Sequence, residues 1–346
     1  MNYFIMSFLS LFGLFGCQSG QANLNADEFE NMLSKDATVQ LVDVRTPEEY
    51  AAGHLRGAVN IDWYADDFLE TAKAKLTPEH PVLVYCRSGK RSAAAAAKLE
   101  GIGFKTYNLL GGYMGWTEAG KPVSVYEVEA FKTSIGEPLT ITLVKHASLE
   151  IRYKGLSIQV DPVSGLGKPT DYNTEFPKAD VILVTHEHGD HFDKEAIGAL
   201  QKDDTQLVTN ARCAEMLGWG KTLANGESAV LPGGIGLDAV PAYNITEGHL
   251  QFHPKGRDNG YVLTLDGFRI YIAGDTEDIP EMSELRDIDI AFLPVNQPYT
   301  MTVDQCVRAA KAIGPKVLIP YHFSKTDVSS LPALLPGIDV RLRQMQ

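Results

Sequence analysis

The stretch ADVILVTHEHGDH, residues 179–191, places three imidazoles and two carboxylates directly after a short apolar run rich in β-branched side chains. Such a run predicts a buried strand. His186 and His188 lie two positions apart and, on extended backbone, can face one cation together. Asp190 and His191 follow on the turn, where they can face a second cation. Zinc accepts imidazole and carboxylate ligands in proteins, so the stretch predicts a metal site at the end of a buried strand.

The remaining ligands must come from the ends of other strands. Asp275 follows an apolar run, so its carboxylate can bridge two metals about 3.5–4 Å apart. His322 follows another such run. For the last position His253 competes with His249, and His253 is favoured because Pro254 stiffens its backbone. These candidates predict two divalent metal ions, with zinc favoured and manganese or iron as alternatives.

Further motifs accompany these candidates: residues 145–148 (KHAS), the pair Asp161-Pro162, and residues 253–256 (HPKG) and 259–261 (NGY). Together with the ligands they resemble the metallo-β-lactamase superfamily, in the branch that contains lactonase-like and UlaG-like hydrolases. The resemblance covers residues 139–346. It implies a four-layer αββα metallo-β-lactamase sandwich.

The resemblance also implies how the ligands divide between two metals. One metal would take His186, His188 and His253, the other would take Asp190, His191 and His322, and Asp275 would be shared. Asn244 departs from many relatives, in which a histidine follows Pro-Ala-Tyr. His146 is left open between binding substrate, supporting a ligand and a purely structural role.

A dinuclear site of this kind implies a hydrolytic mechanism. Two divalent cations lower the pKa of a bridging water, so that hydroxide exists near neutral pH. One metal would polarise a scissile carbonyl or phosphoryl oxygen while the hydroxide attacks, and Asp190 or a nearby carboxylate would shuttle the proton. The expected substrate is a small molecule, and ester, lactone, phosphodiester and thioester bonds all suit this chemistry.

A different pattern fills residues 27–122, where short apolar runs alternate with helical patterns. Residues 38–44 (TVQLVDV) and 81–85 (PVLVY) predict buried strands, and residues 93–99 (AAAAAKL) predict a helix. Strands that alternate with helices predict an α/β unit with a parallel sheet and helices on both faces.

The loop 86–92 (CRSGKRS) follows the second of these strands directly and precedes the helix. The N–H groups of such a loop and the positive end of the helix dipole converge on one point. Arg87, Lys90 and Arg91 add positive charge, so the thiolate of Cys86 is stabilised. A low-pKa thiol in an anion cradle is typical of a nucleophilic sulfur.

Three further segments belong with the loop 86–91, namely residues 43–50 (DVRTPEEY), 53–61 (GHLRGAVNI) and 112–122. Together they resemble a single-domain rhodanese. The resemblance implies that Cys86 is the catalytic nucleophile, carrying a persulfide between a sulfur donor and a thiol acceptor. The expected substrate-binding residues are the loop amides and Arg91, which would hold the anionic sulfur, together with Arg87, Ser88, Gly89 and Lys90.

Other polar and cysteine residues are expected to be structural. Asp43 and Arg45 should tie the loop to the sheet, and His54 should make internal hydrogen bonds. Cys213 and Cys306 lie within helical patterns and should pack as small buried side chains. A disulfide between these two cysteines is compatible with the sequence but not required by it.

The amino terminus carries an apolar run over residues 3–16 that ends at Cys17. The run is too short to span a bilayer, which takes about 20 apolar residues, and suits the apolar core of an export signal. Residues 14–17 (LFGC) resemble a bacterial lipobox, which implies lipidation of Cys17 and a lipid anchor in the membrane. An ordinary signal peptide is the alternative. We therefore expect a protein of the bacterial cell envelope, anchored on the periplasmic face or secreted.

Length and charge agree with this organisation. The 346 residues suggest about two domains. The formal net charge of −13 makes nucleic acid an unfavourable partner. The expected plan is a signal peptide over 1–17, a tether over 18–26, a rhodanese domain over 27–122, a linker with a first edge strand over 123–138, and a metallo-β-lactamase-fold domain over 139–346.

Three hypotheses about function follow. The first is a bifunctional enzyme in which a sulfurtransferase is joined to a metal-dependent hydrolase. The second is an iron enzyme similar to persulfide dioxygenases, holding one iron through two histidines and an aspartate and fed with persulfide by the rhodanese domain. The third is a hydrolase whose rhodanese module binds sulfur or docks a partner without catalysis.

Overall fold

The computed structural model describes residues 22–345. The predicted export signal, including the lipidation site Cys17, lies outside the described residues. Within the described part of the chain, no helix combines the length and apolar character needed to cross a bilayer.

The first unit is built on a five-stranded sheet whose described strands all pair in parallel. The strands, in the spatial order β1-β5-β4-β2-β3, are β1 (Ala22–Leu24), β2 (Gln40–Asp43), β3 (Val59–Asn60), β4 (Val82–Tyr85) and β5 (Thr106–Leu109). The helices are α1 (Ala26–Lys35), α2 (Pro47–Ala51), α3 (Phe68–Lys75), α4 (Lys90–Glu100) and α5 (Gly112–Glu118).

Helices cover both faces of this sheet, as the sequence predicts. Val82 and Val84 of β4 face a core with α3 and α4, whereas Leu83 and Tyr85 face a core with α1, α2 and α5. Successive side chains of a strand point to opposite faces, so a continuous apolar run is what a sheet covered on both sides requires.

The expected tether over residues 18–26 is wrong in its second half. Ala22–Leu24 forms the edge strand β1 and pairs in parallel with β5. Asn25 then caps α1 by accepting the backbone N–H groups of Asp27 and Glu28. A strand of three residues is too short to show a period, and its partner strand lies more than 80 residues away in the sequence, so local pattern could not reveal it.

The second unit contains two seven-stranded sheets among the described residues. The first has the order β12-β11-β10-β9-β8-β7-β6 and comprises β6 (Val128–Lys132), β7 (Pro138–Lys145), β8 (Ser148–Tyr153), β9 (Leu156–Val160), β10 (Val181–Leu183), β11 (Gln206–Thr209) and β12 (Lys221–Thr222). The second follows chain order and comprises β13 (Ser228–Leu231), β14 (Ile235–Ala242), β15 (Asp258–Leu265), β16 (Phe268–Ile272), β17 (Ile290–Pro294), β18 (Val317–Tyr321) and β19 (Asp339–Val340).

The two sheets pack face to face, and helices cover their outer faces. A core of residues from both sheets lies between them. On the outer faces, α6 (Lys194–Leu200) and α7 (Ala211–Leu217) pack on the first sheet, and α8 (Val303–Ile313) and α9 (Leu331–Leu334) pack on the second. This arrangement is the four-layer αββα sandwich that the resemblance implies.

Residues 123–138 do more than link the two units. Their strand β6 pairs with β7 at the edge of the first sheet of the sandwich. Val128 and Ala130 of β6 pack against the core of the first unit, while Phe131 packs against the core between the two sheets. Because alternate side chains of one strand serve two cores, β6 joins the units by packing as well as by the chain.

The described cysteines are all free thiols. Cys213 and Cys306 are buried within α7 and α8, as predicted, and burial raises the pKa of each thiol to about 12. Both therefore behave as small apolar side chains, and no disulfide joins them in residues 22–345.

Candidate metal centre and cysteine loop

The predicted ligands converge because they follow strands that end at the same edge of the sandwich. Asp275 follows β16 and His322 follows β18, and both strands pair in parallel with β17 between them. His186 follows β10 of the other sheet. The carboxyl ends of parallel neighbours meet at one sheet edge, so side chains distant in the sequence become neighbours there.

One set of four donors, which we term the first group, consists of His186, His188, His253 and Asp275. Their donor atoms all lie within 4.8 Å of one another. Nε2 of His186 lies 3.1 Å from Nδ1 of His188. Oδ2 of Asp275 lies 3.4 Å from Nε2 of His253 and 3.8 Å from Nε2 of His186. The structure thus brings together the three histidines that the resemblance assigns to one metal and the aspartate that it assigns to both.

A second set of four donors, the second group, consists of His146, Asp190, His191 and His322, again within 4.8 Å of one another. Oδ2 of Asp190 lies 3.1 Å from Nε2 of His146 and 3.3 Å from Nε2 of His322. Asp275 reaches this group too, because its carboxylate oxygens lie 3.2 Å from Nε2 of His191 and 3.2 Å from Nε2 of His322. Asp275 therefore lies between the groups, as its predicted bridging role requires. His146 is the member that the sequence did not assign to a metal.

Outer hydrogen bonds orient the imidazoles. Nδ1 of His186 lies 3.0 Å from the hydroxyl of Thr185, and Nδ1 of His191 lies 2.8 Å from Oδ2 of Asp161. Nδ1 of His253 lies 2.9 Å from a carboxylate oxygen of Asp258. Such partners fix the ring so that Nε2 faces the cluster, and their loss in metalloproteins costs about 10- to 100-fold in metal affinity or activity.

The donors fit divalent cations. Nε2 of His191 and Oδ1 of Asp275 are buried and lie 3.2 Å apart, but their orientation forms no hydrogen bond, and neither atom has another such partner among the described residues. Buried polar atoms of this kind are costly unless something satisfies them. Burial would raise the pKa of Asp275, but the imidazoles of His322 and His191 hold it well below its usual value, so the carboxylate is charged. Ionised oxygen and imidazole nitrogen together form a donor set suited to zinc, manganese or iron.

His249 and Asn244 lie outside both donor groups. Nδ1 of His249 lies 3.6 Å from a carboxylate oxygen of Glu277. The backbone N–H of Asn244 donates to the carbonyl of His253 at 2.9 Å, and its side-chain amide donates to the carbonyls of His249 and Tyr299. Asn244 thus holds the segment that carries His253.

Lys145, next to His146, is buried and donates to four backbone carbonyls of the loop that follows β9. The acceptors are Ser164 at 3.2 Å, Gly165 at 2.9 Å, Leu166 at 3.2 Å and Lys168 at 2.6 Å. The same loop begins just after Asp161, which contacts His191. The ammonium therefore fastens a loop at the edge of the metal centre.

We expect Lys145→Met to lower the free energy of unfolding by about 1–3 kcal/mol, because four part-buried hydrogen bonds from the ammonium are lost while the apolar stem is kept. Urea unfolding of the two proteins measures this difference. Lys221→Met, at an exposed position of β12, is the matched control and should leave the free energy of unfolding unchanged. Equal unfolding midpoints for all three proteins would contradict the proposed fastening role.

The cysteine loop has the strand-to-helix geometry that the sequence predicts. Cys86 follows β4 directly, and Gly89 caps α4 in a left-handed conformation with φ of 88°. Burial would raise the pKa of the Cys86 thiol, but the hydroxyl of Ser92, 3.3 Å from Sγ, and the backbone N–H groups of Ser92, Ser88 and Gly89 outweigh it. The net result is a lowered pKa, so the loop favours the thiolate.

The side chains of the cysteine loop differ in exposure and in their contacts. Arg87, Ser88 and Lys90 are exposed around the buried sulfur. The guanidinium of Arg91 donates to both carboxylate oxygens of Glu49, at 2.7 and 2.8 Å, a partner that the sequence did not predict. Glu49 lies on α2, 42 residues away, so this pairing has no local signal in the sequence. The amides and Ser92 make the direct contacts with the thiol.

Asp43, Arg45 and His54 take the structural roles that the sequence predicts for them. Nη2 of Arg45 lies 2.6 Å from Oδ2 of Asp43 and also donates to the carbonyl of Gly53 at 2.7 Å. Both ring nitrogens of His54 lie 3.0 Å from backbone carbonyls, those of Tyr50 and Tyr126. These side chains fasten the segments around the loop.

We expect Ser92→Ala to raise the pKa of Cys86 by about one unit, because a hydrogen bond to a charged group contributes about 1.5–3 kcal/mol and one pKa unit corresponds to about 1.4 kcal/mol. A lowered pKa means that the thiolate persists below the usual titration range, so its loss moves the titration to higher pH. The ultraviolet absorbance of the thiolate against pH measures the shift. Ser88→Ala, whose backbone amide is retained, is the control, and coincident titrations of parent and Ser92→Ala would exclude the hydroxyl's role.

Comparisons with known proteins agree with both units. Residues 140–322 match the β-lactamase superfamily domain, and residues 25–119 match the rhodanese-like domain. A UPF0173 metal-dependent hydrolase of Bacillus pumilus is 31% identical over 191 residues, which are 52% of this chain and 83% of that protein.

Two solved structures extend the comparison. A metal-dependent hydrolase of Parabacteroides distasonis is 55% identical with a TM-score of 0.62, covering 64% of this chain and 100% of that one. Igni18, a metallo hydrolase of the archaeon Ignicoccus hospitalis, is 27% identical with a TM-score of 0.50, covering 60% of this chain and 95% of that one. With a matched domain that spans over half of its 346 residues, the chain belongs to the β-lactamase superfamily of metal-dependent hydrolases and carries a rhodanese-like domain ahead of the metal centre.

Proposed function

We propose that this protein is a bifunctional enzyme of the bacterial cell envelope that joins a dinuclear metal-dependent hydrolase to a rhodanese-type sulfurtransferase. The observation that carries the hydrolase is the pair of donor groups with Asp275 between them. Each group offers four donors, which is enough to hold one divalent cation. The substrate is a small molecule with an ester, lactone, phosphodiester or thioester bond.

The metal ions would supply Lewis-acid activation and a water of lowered pKa. The protein's own part is to place charge and exclude solvent. Most donors are buried, whereas Asp190 keeps a third of its side chain exposed and marks the open side of the site. Burial would raise the pKa of Asp190, but its hydrogen bonds with His146 and His322 hold it far below the usual value. The carboxylate of Asp190 is thus ionised and is a weak base. It is therefore better suited to binding a metal than to accepting a proton.

All the predicted ligands of the second metal lie together, which favours the hydrolase hypothesis over the persulfide dioxygenase hypothesis. One iron held by two histidines and an aspartate would need only three of these donors. Here Asp190, His191 and His322 remain together beside Asp275. Elemental analysis of purified protein separates the two hypotheses, because two metals per chain support the hydrolase and a single iron with oxygen uptake supports the dioxygenase.

The hydrolytic assignment is tested by screening the four bond types with parent protein and His188→Ala. His188 belongs to the first group, so its loss should remove turnover of any substrate that the parent hydrolyses. His249→Ala, outside both groups, is the control and should retain turnover. Turnover that survives in His188→Ala, or a parent protein without bound metal, would refute the proposal.

The sulfurtransferase half rests on the Cys86 loop. A buried thiol with a lowered pKa, contacted by Ser92 and loop amides, suits a persulfide formed from a sulfur donor and passed to a thiol acceptor. The exposed Arg87 and Lys90 would attract an anionic donor such as thiosulfate.

The envelope location rests on the sequence around Cys17. We expect Cys17→Ser to release the protein from the membrane fraction, since a lipidated cysteine would be the anchor. Fractionation of cells followed by immunoblotting measures the change, with Cys213→Ser, a buried thiol, as the control. Identical fractionation of parent and Cys17→Ser would exclude the anchor.

A further inference from the structure

We propose that His146 is a fifth protein donor to the cation of the second group, so that this position favours a five- or six-coordinate cation such as Mn²⁺ or Fe²⁺, while the first group favours tetrahedral zinc. This inference rests on the proposed dinuclear site. It assigns a ligand that the sequence left open and predicts that the two metal positions differ.

The position of the imidazole is the first observation. Nε2 of His146 lies 3.1 Å from Oδ2 of Asp190, and its ring centroid lies 3.8 Å from that of His322. The donor atom is within 4.8 Å of those of Asp190, His191 and His322. Two atoms that each lie about 2.1 Å from one cation are at most about 4.2 Å apart, so this spacing approaches that of a shared coordination sphere.

The backbone is the second, independent observation. His146 is the first residue of the two-residue turn between β7 and β8, and the turn gives it φ of 48°. His322 has φ of 49°, also in the left-handed region, which is uncommon for residues other than glycine. The two residues are tied together, because the N–H of His322 donates to the carbonyl of His146 at 3.1 Å. The N–H of His146 donates to the carbonyl of Met345 at 2.6 Å. One backbone arrangement thus presents both imidazoles to the same carboxylate.

The donor count gives the metal preference. The first group has three imidazoles and the shared Asp275, a set of four that matches tetrahedral zinc. The second group has three imidazoles and Asp190, and the shared Asp275 makes five. Five nitrogen and oxygen donors with no thiolate exceed a tetrahedral shell and suit manganese or iron.

The experiment uses the full chain, stripped of metal and titrated with Mn²⁺, Zn²⁺ and Co²⁺. The variants are His146→Ala and His146→Gln, and the control is His249→Ala. Gln keeps an N–H that can reach Asp190 but gives no imidazole. Elemental analysis gives the stoichiometry, the resonance signal of free Mn²⁺ gives its affinity, and the visible spectrum of bound Co²⁺ reports coordination number.

We expect the parent and His249→Ala to bind two metals, one with a weak five- or six-coordinate Co²⁺ spectrum. Both His146 variants should weaken Mn²⁺ at one position by at least about tenfold and lower the coordination number that the Co²⁺ spectrum reports there. Parent-like Mn²⁺ affinity in His146→Ala, which removes every donor at this position, would overturn the inference, as would four-coordinate spectra at both positions of the parent.

The outcomes also separate this inference from the proposed function. A parent that binds fewer than two metals refutes the dinuclear hydrolase itself. A parent that binds two metals and hydrolyses substrate while both His146 variants keep its metal affinities refutes only the role of His146. Circular dichroism of each variant establishes that a change in metal binding does not come from unfolding.

Discussion

Replacing Asp275 by asparagine should reduce metal-dependent hydrolysis by at least about a hundredfold. The carboxylate lies within 4 Å of four imidazoles, those of His186, His191, His253 and His322. Asparagine has nearly the same shape but no charge. Both metal positions therefore lose a donor and the negative charge between them at once.

The measurement combines turnover of the substrate found by screening with metal content per chain. Asp275→Asn should retain fewer than two metals, while Asp238→Asn, at a half-buried position of β14 away from the donors, should match the parent in both measurements. Two tightly bound metals and parent-like turnover in Asp275→Asn would show that the carboxylate does not bridge, and the dinuclear assignment would fall.

Cys86→Ser should reduce thiosulfate:cyanide sulfur transfer to the background rate while leaving hydrolysis unchanged. A serine oxygen cannot carry sulfane sulfur, and the position is buried at the base of the loop, so no neighbouring group replaces it. The hydroxyl is close in size to the thiol, so the loop and the packing of β4 are preserved. The two activities should therefore separate in one variant.

Rates of sulfur transfer and of hydrolysis, measured on the same preparations, test this separation. Cys213→Ser is the matched control, because it changes another buried thiol and should keep both activities. Sulfur transfer that persists in Cys86→Ser would place the sulfur carrier elsewhere. A parent that transfers no sulfur would support the hypothesis of a non-catalytic rhodanese module.

The pattern of the chain was sufficient to predict the architecture. Apolar runs without alternation, such as residues 81–85, predicted strands covered on both faces, and β4 has helices on each side. The paired histidines and the aspartate after the run 179–185 predicted donors at a strand end, and the structure places them there. These features are local, because a strand and the residues after it are adjacent in the sequence.

The contacts that those residues make could be identified only in the folded chain. The sequence offered no reason to pair Asp258 with His253, to place Glu49 on Arg91 or to put Ala22–Leu24 beside β5. His146 also carried no signal that separated a donor from a structural histidine, because its contact with Asp190, 44 positions away, arises only in the folded chain.

What the sequence alone determined is therefore which residues end the strands and carry donor chemistry. Which of these residues meet was decided by the tertiary structure. Asp190 and His322 lie 132 positions apart and come within 3.3 Å because two sheets pack with their ligand-bearing ends at one edge. Strand formation depends on short-range periodicity, whereas the geometry of a metal centre depends on contacts between segments whose separation in the chain no local pattern encodes.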